Sequence, residues 1–369
     1  MSSMSSMLLS WHSSGSPIGI HQVTDRSHAM VSSTLNRREA AKAITAALIV
    51  LAGTPCLPAH ATSSWDQSRA DASTQQPPAS VPSEADKPVR MPPTPRVIPF
   101  ELKDNLVRIE VEVNGSKRSG VLDSGAGAIL VDRQVSAGLG LQEGSPAGDA
   151  AGAGAEVKAL MPVTIARLVA GPLAFADVAG YAMDLGHLSS SAQFPVDVLL
   201  GAPAFKYGAV SVDYAHQRVT FGPSGSTGEC AAPIPLDVVH DVPVVEIDVR
   251  PFLDQPAIRL KALVDLGTRH GALVLGGPFV RSEVGKALIE GGHSKQVGHG
   301  VGGEVQGTVA RLAEVRAGLN SFGPLEVSLT SDVPAFEQGV IDGTLGVPLW
   351  SDGVISFDYP RRQLCITRQ

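Results

Sequence analysis

The chain has only three cysteines in 369 residues. Cys56 falls in a segment with the marks of a removable leader, which leaves Cys230 and Cys365 and excludes a cysteine-built zinc site. An oxidising compartment permits those two to pair, and two separate thiols fit the sequence equally well. Positive charge is also scarce: 29 Lys and Arg stand against 36 Asp and Glu, a formal charge of −7. Without residues 1–61 the balance is 25 against 34, or −9. Such a chain has no means of neutralising a phosphate backbone, so nucleic acid is not an expected partner. Outside the leader no apolar run approaches the about 20 residues that cross a bilayer, and no membrane span is expected in the mature protein.

Several catalytic signatures are missing as well. There is no Gly-x-Ser-x-Gly elbow, so a serine hydrolase of that kind finds no support. Gly298-His299-Gly300-Val301-Gly302-Gly303 has the glycine spacing of a dinucleotide loop but lacks the strand before it and the helix after it. His293 and His299 read as solvated histidines of one loop, with no third ligand beside them. Neither a metal nor a cofactor is expected.

What the chain does have is a repeat. Val121-Leu122-Asp123-Ser124-Gly125-Ala126 is echoed by Leu263-Val264-Asp265-Leu266-Gly267-Thr268, and Asp197-Val198-Leu199-Leu200-Gly201 by Asp342-Gly343-Thr344-Leu345-Gly346. Val212-Asp213-Tyr214 and Phe357-Asp358-Tyr359 complete the series, and the offsets of 142 to 145 residues differ only by small insertions. Between these markers the apolar period is that of strands. Val107, Ile109, Val111 and Val113 alternate with charged residues up to an Asn114-Gly115 turn, and Val245, Ile247 and Val249 do the same in the second half. Short helical segments are expected near residues 133–139 and 282–289, and a turn after each Leu-Gly pair. Each aspartate should therefore top a buried strand-turn-strand in a mostly β fold.

Two carboxyls presented by equivalent loops of two packed halves would meet across a pseudo-twofold axis, where like charges share a proton. The ordered set of motifs resembles the retropepsin and pepsin group of aspartic proteases, over roughly residues 97 to 369. The resemblance implies two pseudo-symmetric acid-protease β-barrel lobes in one chain, lobe one at 97–228 and lobe two at 229–369. It further implies a catalytic dyad of Asp123 and Asp265, supported by Ser124, Gly125, Ala126, Gly267 and Thr268. Flap hairpins around Gly152 and Gly154 and around Gly300 and Gly302 would close over an extended peptide or protein substrate. With both lobes in one chain, the expected state is a monomer.

The match departs from the family at Leu266, where a hydroxyl ordinarily braces the two loops against each other. Losing it would leave a buried partner unpaired, at about 1–3 kcal/mol. Two functions remain open on this basis: an aspartic endopeptidase, or a catalytically silent peptide-binding module of the cell envelope. Asp197, Asp342, Asp213 and Asp358 read as loop and turn hydrogen-bonders, Glu156 and Glu304 as solvent-facing flap residues, and His270 as an exposed turn residue.

Residues 1–61 read as an export region: Arg37-Arg38, an Ala/Ile/Leu run and an Ala59-His60-Ala61 cleavage site. It is similar to twin-arginine signals, with ordinary export also open, and Met30 would give a leader of conventional length. The implied location is periplasmic or secreted. Residues 62–96, rich in Pro, Ser and Ala, read as a disordered linker.

Overall fold

The computed structural model describes residues 89–368 apart from 152, 154–156, 227, 229 and 301. The leader and residues 62–88 of the expected linker lie outside the described residues. The fold is mostly β, in two pseudo-symmetric lobes, as the periodicity predicts.

In lobe one, Leu106–Val113 buries Val107, Ile109, Val111 and Val113 and turns at Asn114 and Gly115, whose φ values of 48° and 84° suit a tight hairpin. The partner strand Ser116–Leu122 runs back beneath it and stops at Asp123. Val198–Leu200 lies parallel to that strand, with Leu200 opposite Leu122, and antiparallel to Ile129–Asp132. Lobe two repeats this register: Gly343–Leu345 is parallel to Ile258–Val264, with Leu345 opposite Val264, and antiparallel to Leu273–Leu275. Leu122 and Val264 are fully buried. At about 1.5–3 kcal/mol for such a side chain, each is a firm anchor for the aspartate that follows it.

Both Leu-Gly glycines are required by contact. A Cβ on Gly201 would lie 2.2 Å from the Ala128 carbonyl oxygen, and one on Gly346 would lie 2.1 Å from that of Gly271. These glycines let the return strand press against the aspartate loop. The amide of Asp123 then donates to Leu200 O at 3.1 Å, and that of Asp265 to Leu345 O at 3.0 Å.

The lobes share a six-stranded sheet in which Ala209–Asp213 pairs antiparallel with Gly353–Asp358. Ser211 faces Ser356, its counterpart in the repeat, and the two hydroxyls bond at 2.7 Å, so the pseudo-twofold axis passes between them. Cys230 and Cys365 form a disulfide that ties the connection between lobes to the last strand, Gln363–Arg368.

The helical expectations hold, with Arg133–Ser136 and Ala137–Leu139 in lobe one, Glu283–Glu290 in lobe two, and 3-10 turns at Ala202–Ala204 and Val347–Leu349. Gly186–Ala192 is a further helix that the sequence did not signal. The end of the expected linker needs correction, because Val89–Arg90 pairs with Phe175 and Ala174 and Arg96–Pro99 joins the shared sheet. Val89 is buried, and the edges of two sheets supply the pairing that composition alone could not foresee. Among the described residues no helix is long and apolar enough to cross a membrane.

Candidate active site

The two aspartate loops meet face to face. Gly125 N–H donates to Asp123 Oδ1 at 2.8 Å, and Gly267 N–H to Asp265 Oδ1 at 2.7 Å. Glycine is demanded here by the opposite carboxyl rather than by the turn. A Cβ on Gly125 would sit 2.5 Å from Asp265 Oδ1, and one on Gly267 would sit 3.0 Å from both oxygens of Asp123. Neither glycine has a positive φ, so backbone conformation does not require it.

The carboxyl groups of Asp123 and Asp265 thus face each other, each lying against the glycine of the opposite loop. Burial first, and then the neighbouring Asp265 carboxyl, hold Asp123 well above the ordinary carboxylate range. The surroundings of the two differ by one hydroxyl: Thr268 Oγ1 donates to Asp265 Oδ2 at 2.7 Å, whereas lobe one has the buried Ala126 at that place.

Ser124 is fully buried and crosses to the other lobe, where its Oγ donates to Val264 O at 2.8 Å and accepts from Leu266 N–H at 3.0 Å. Its partners are main-chain groups, so the side chain of residue 266 does not decide whether they exist. The expected orphan hydroxyl therefore does not arise. Leu266, fully buried, joins the apolar core instead.

Above the dyad lies a cavity of ≈ 180 Å³ whose apolar wall comes chiefly from lobe two, with Val274, Val297, Val305, Phe336 and Ile341. Lobe one supplies Ala126, Leu188 and Leu199. Two hairpins roof it. In lobe two, His293–Gly300 pairs with Gly303–Leu312, and in lobe one Asp149–Ala151 pairs with Val157–Ala159. They touch at their ends: Gly302 N–H donates to Ala153 O at 3.0 Å, and Gly300 also packs on Ala153. Gly152, Gly154 and Glu156 lie outside the described residues, and Glu304 is exposed as expected.

The loop expected around His293 and His299 is the outer strand of the lobe-two hairpin, because pairing with Gly303–Leu312 satisfies its backbone. His299 bonds Gln296 and lies 3.7 Å from Glu304. Among the described residues no group of three or more His, Cys, Asp and Glu is arranged to hold a metal. Asp197 and Asp342 do the matched loop work expected of them, accepting from Ser119 N–H and Lys261 N–H at 2.9 and 2.8 Å. Asp213 and Asp358 likewise accept from the backbone of His216 and Gly225.

One residue at the site carried no sequence signal. Arg269, 5% exposed, immediately follows the second aspartate loop, and its guanidinium is bonded by Asp104 and Ser191 of lobe one. Its partners are distant in sequence, so no local pattern could reveal them. His270 also faces Asp104, with Nε2 3.2 Å from Oδ1.

Residues 109–204, most of lobe one, match the aspartyl protease family. The chain is thus similar to retropepsin- and pepsin-like aspartic proteases in its first aspartate loop and in the fold around it. No curated protein sequence matches. Among solved structures, an aspartic proteinase from Irpex lacteus aligns at 12% identity with a TM-score of 0.46, covering 74% of this chain and 97% of its own. Basic 7S globulin from soybean aligns at 10% identity and 0.41, covering 74% and 94%. A retropepsin-like aspartic protease from Rickettsia conorii aligns at 18% identity and 0.25, covering 36% and 92%.

Proposed function

We propose that this protein is an aspartic endopeptidase in which Asp123 and Asp265 activate a water molecule against a peptide carbonyl. The observation that carries the reading is the approach of each carboxyl to the opposite aspartate loop, where it is cradled by the N–H of its own glycine and lies against the glycine of the other. Two carboxyls so close share one proton, which supplies a base and an acid at one site.

Burial and the neighbouring carboxyl favour the shared proton on Asp123, and Thr268 Oγ1 gives the Asp265 carboxyl a hydrogen-bond donor that has no counterpart at Ala126. Asp265 then takes a proton from the water as its oxygen attacks the carbonyl carbon, and the Asp123 proton passes to the carbonyl oxygen. Collapse of the resulting gem-diol breaks the C–N bond. The departing nitrogen takes one proton and the shared proton returns to the dyad. An extended peptide would enter beneath the paired hairpins and add its backbone to their edges.

The Cys230–Cys365 disulfide and the leader-like residues 1–61 support export to an oxidising compartment, by the twin-arginine route if Arg37-Arg38 act as such a signal. The shared interlobe sheet supports a monomer whose two halves build one site. Cleavage of a diverse peptide library from about pH 3 to 8 tests the function, with Asp123→Asn and Asp265→Asn as controls. A hydroxyl-bearing mimic of the gem-diol should inhibit. No cleavage by folded wild type would turn the reading to a peptide-binding module on the same fold.

A further inference from the structure

Besides the Ser124 bonds on either side of Asp265, a second clamp ties the second aspartate loop to lobe one. Arg269, four residues after Asp265, sends its buried guanidinium into lobe one, where the Asp104 carboxylate and the Ser191 hydroxyl both bond it. The main chain is gripped at the same residue, because Asn105 Nδ2 donates to Arg269 O at 2.8 Å. Asp104 and Asn105 form a turn with φ values of 49° and 61°, so both partners issue from a rigid hairpin corner. Ser191 comes from a separate element, the helix Gly186–Ala192 whose Leu188 walls the cavity. One side chain thus joins the Asp265 loop to two independent parts of lobe one.

The repeat has no counterpart. By the 142-residue offset between the aspartates, the position of Arg269 falls on Gly127 in lobe one, which has no side chain. The lobe-two turn that matches Asp104-Asn105 is His240-Asp241, also with positive φ, and there Asp241 engages Lys206 at 3.0 Å. The loop that bears the clamp is also the one whose residue 266 has no hydroxyl to return across the interface. Burying a guanidinium is costly unless it is paired and hydrogen-bonded, and here both conditions are met.

We infer that Arg269 is a positioning residue: through Asp104, Asn105 and Ser191 it fixes the Asp265 loop against lobe one and supplies the interlobe bracing that Leu266 cannot. The inference rests on the endopeptidase reading for its effect on turnover, but not for its effect on the carboxyl pair. With its guanidinium occupied by lobe one, Arg269 acts on the reacting groups by holding their geometry, and a displacement of about 1 Å at such a site costs roughly 100-fold in rate.

The test uses the full chain with Arg269→Met, Arg269→Lys, Asp104→Asn, Ser191→Ala and the double variant Asp104→Asn/Arg269→Met. Arg269→Met should lower kcat by about 10- to 100-fold and change KM by less than about threefold. The double variant should be no worse than Arg269→Met, Arg269→Lys should recover part of the loss, and Ser191→Ala should show a smaller fall with the fold undisturbed. Carbon-13 carboxyl titration, with the dyad resonances identified from Asp123→Asn and Asp265→Asn, should shift in Arg269→Met. A rise in KM with kcat unchanged, additive effects of Asp104→Asn and Arg269→Met, or a dyad titration unmoved in folded Arg269→Met would each overturn the inference. If wild type cleaves nothing while its carboxyl titration shifts in Arg269→Met, the hydrolase reading fails and the clamp stands.

Discussion

Ser124 of lobe one reaches across the interface to the main chain on either side of Asp265, taking the N–H of Leu266 at 3.0 Å and giving its own proton to Val264 O at 2.8 Å. A single hydroxyl thereby ties one aspartate loop to the other. Ser124→Ala would strand a buried donor and a buried acceptor together. We expect a loss of about 1–3 kcal/mol, measured by urea unfolding, and a much smaller loss for substitution of the solvent-facing Glu304.

Asp123 should make the protein less stable as pH rises. Its carboxyl is held well above the ordinary range by burial and by Asp265, so between the unfolded value and that raised value the folded state binds more protons than the unfolded. Stability therefore falls as pH climbs through this window. Asp123→Asn should be more stable than wild type at neutral pH, with the difference shrinking below about pH 4. Thermal unfolding of both proteins at matched pH measures it, and equal stability at pH 7 would count against a strained carboxyl.

The two hairpins meet over the cavity through the Gly302 N–H to Ala153 O bond, and Gly300 has no room for a side chain. A Cβ there would lie 2.3 Å from Ala153 O and 2.6 Å from Ala153 Cβ. Gly300→Ala should part the hairpins and forfeit a bond of about 0.5–1.5 kcal/mol. In steady-state kinetics this corresponds to a rise in KM of up to about tenfold.

The disulfide closes a span of 135 residues between Cys230 and Cys365. Reduction, or the Cys230→Ser/Cys365→Ser pair, should cost about 2–5 kcal/mol in unfolding experiments, since the opened chain regains a large loop's freedom. The dyad lies elsewhere in the fold, so the reduced protein should keep its cleavage pattern while it remains folded.

Much of this site was legible in the sequence. The paired Asp-x-Gly loops, the Leu-Gly motifs and the strand period around them are local patterns, and each falls where its period and turn chemistry place it. Less visible was whatever depends on two distant segments meeting. Leu266 suggested an orphaned hydroxyl, yet Ser124 bonds the Val264 carbonyl and the N–H of residue 266, which any residue but proline would offer. Gly125 and Gly267 stand in the paired motifs, but the carboxyl of the other lobe that excludes a side chain at each is seen only in the fold. The Arg269 clamp needed the fold to be seen at all, because Asp104 and Ser191 lie far away in the chain. Val89 and Arg90 looked like linker because a two-residue strand has no period, only an edge to pair with.

Loss of the Thr268 hydroxyl tests the asymmetry of the dyad. Thr268→Val removes the 2.7 Å bond to Asp265 and keeps the shape. Charge on the pair then loses a donor, so the acid limb of the pH–rate profile should move to higher pH while the protein stays folded. An unmoved acid limb would remove the reason for assigning the base to Asp265.

The most direct test of the whole account is peptide cleavage by wild type beside Asp123→Asn and Asp265→Asn, each confirmed as folded. The account predicts that wild type cleaves and that either substitution alone abolishes turnover, because one shared proton needs both carboxyls. Full activity in either variant, or none in wild type across the pH range, would contradict it.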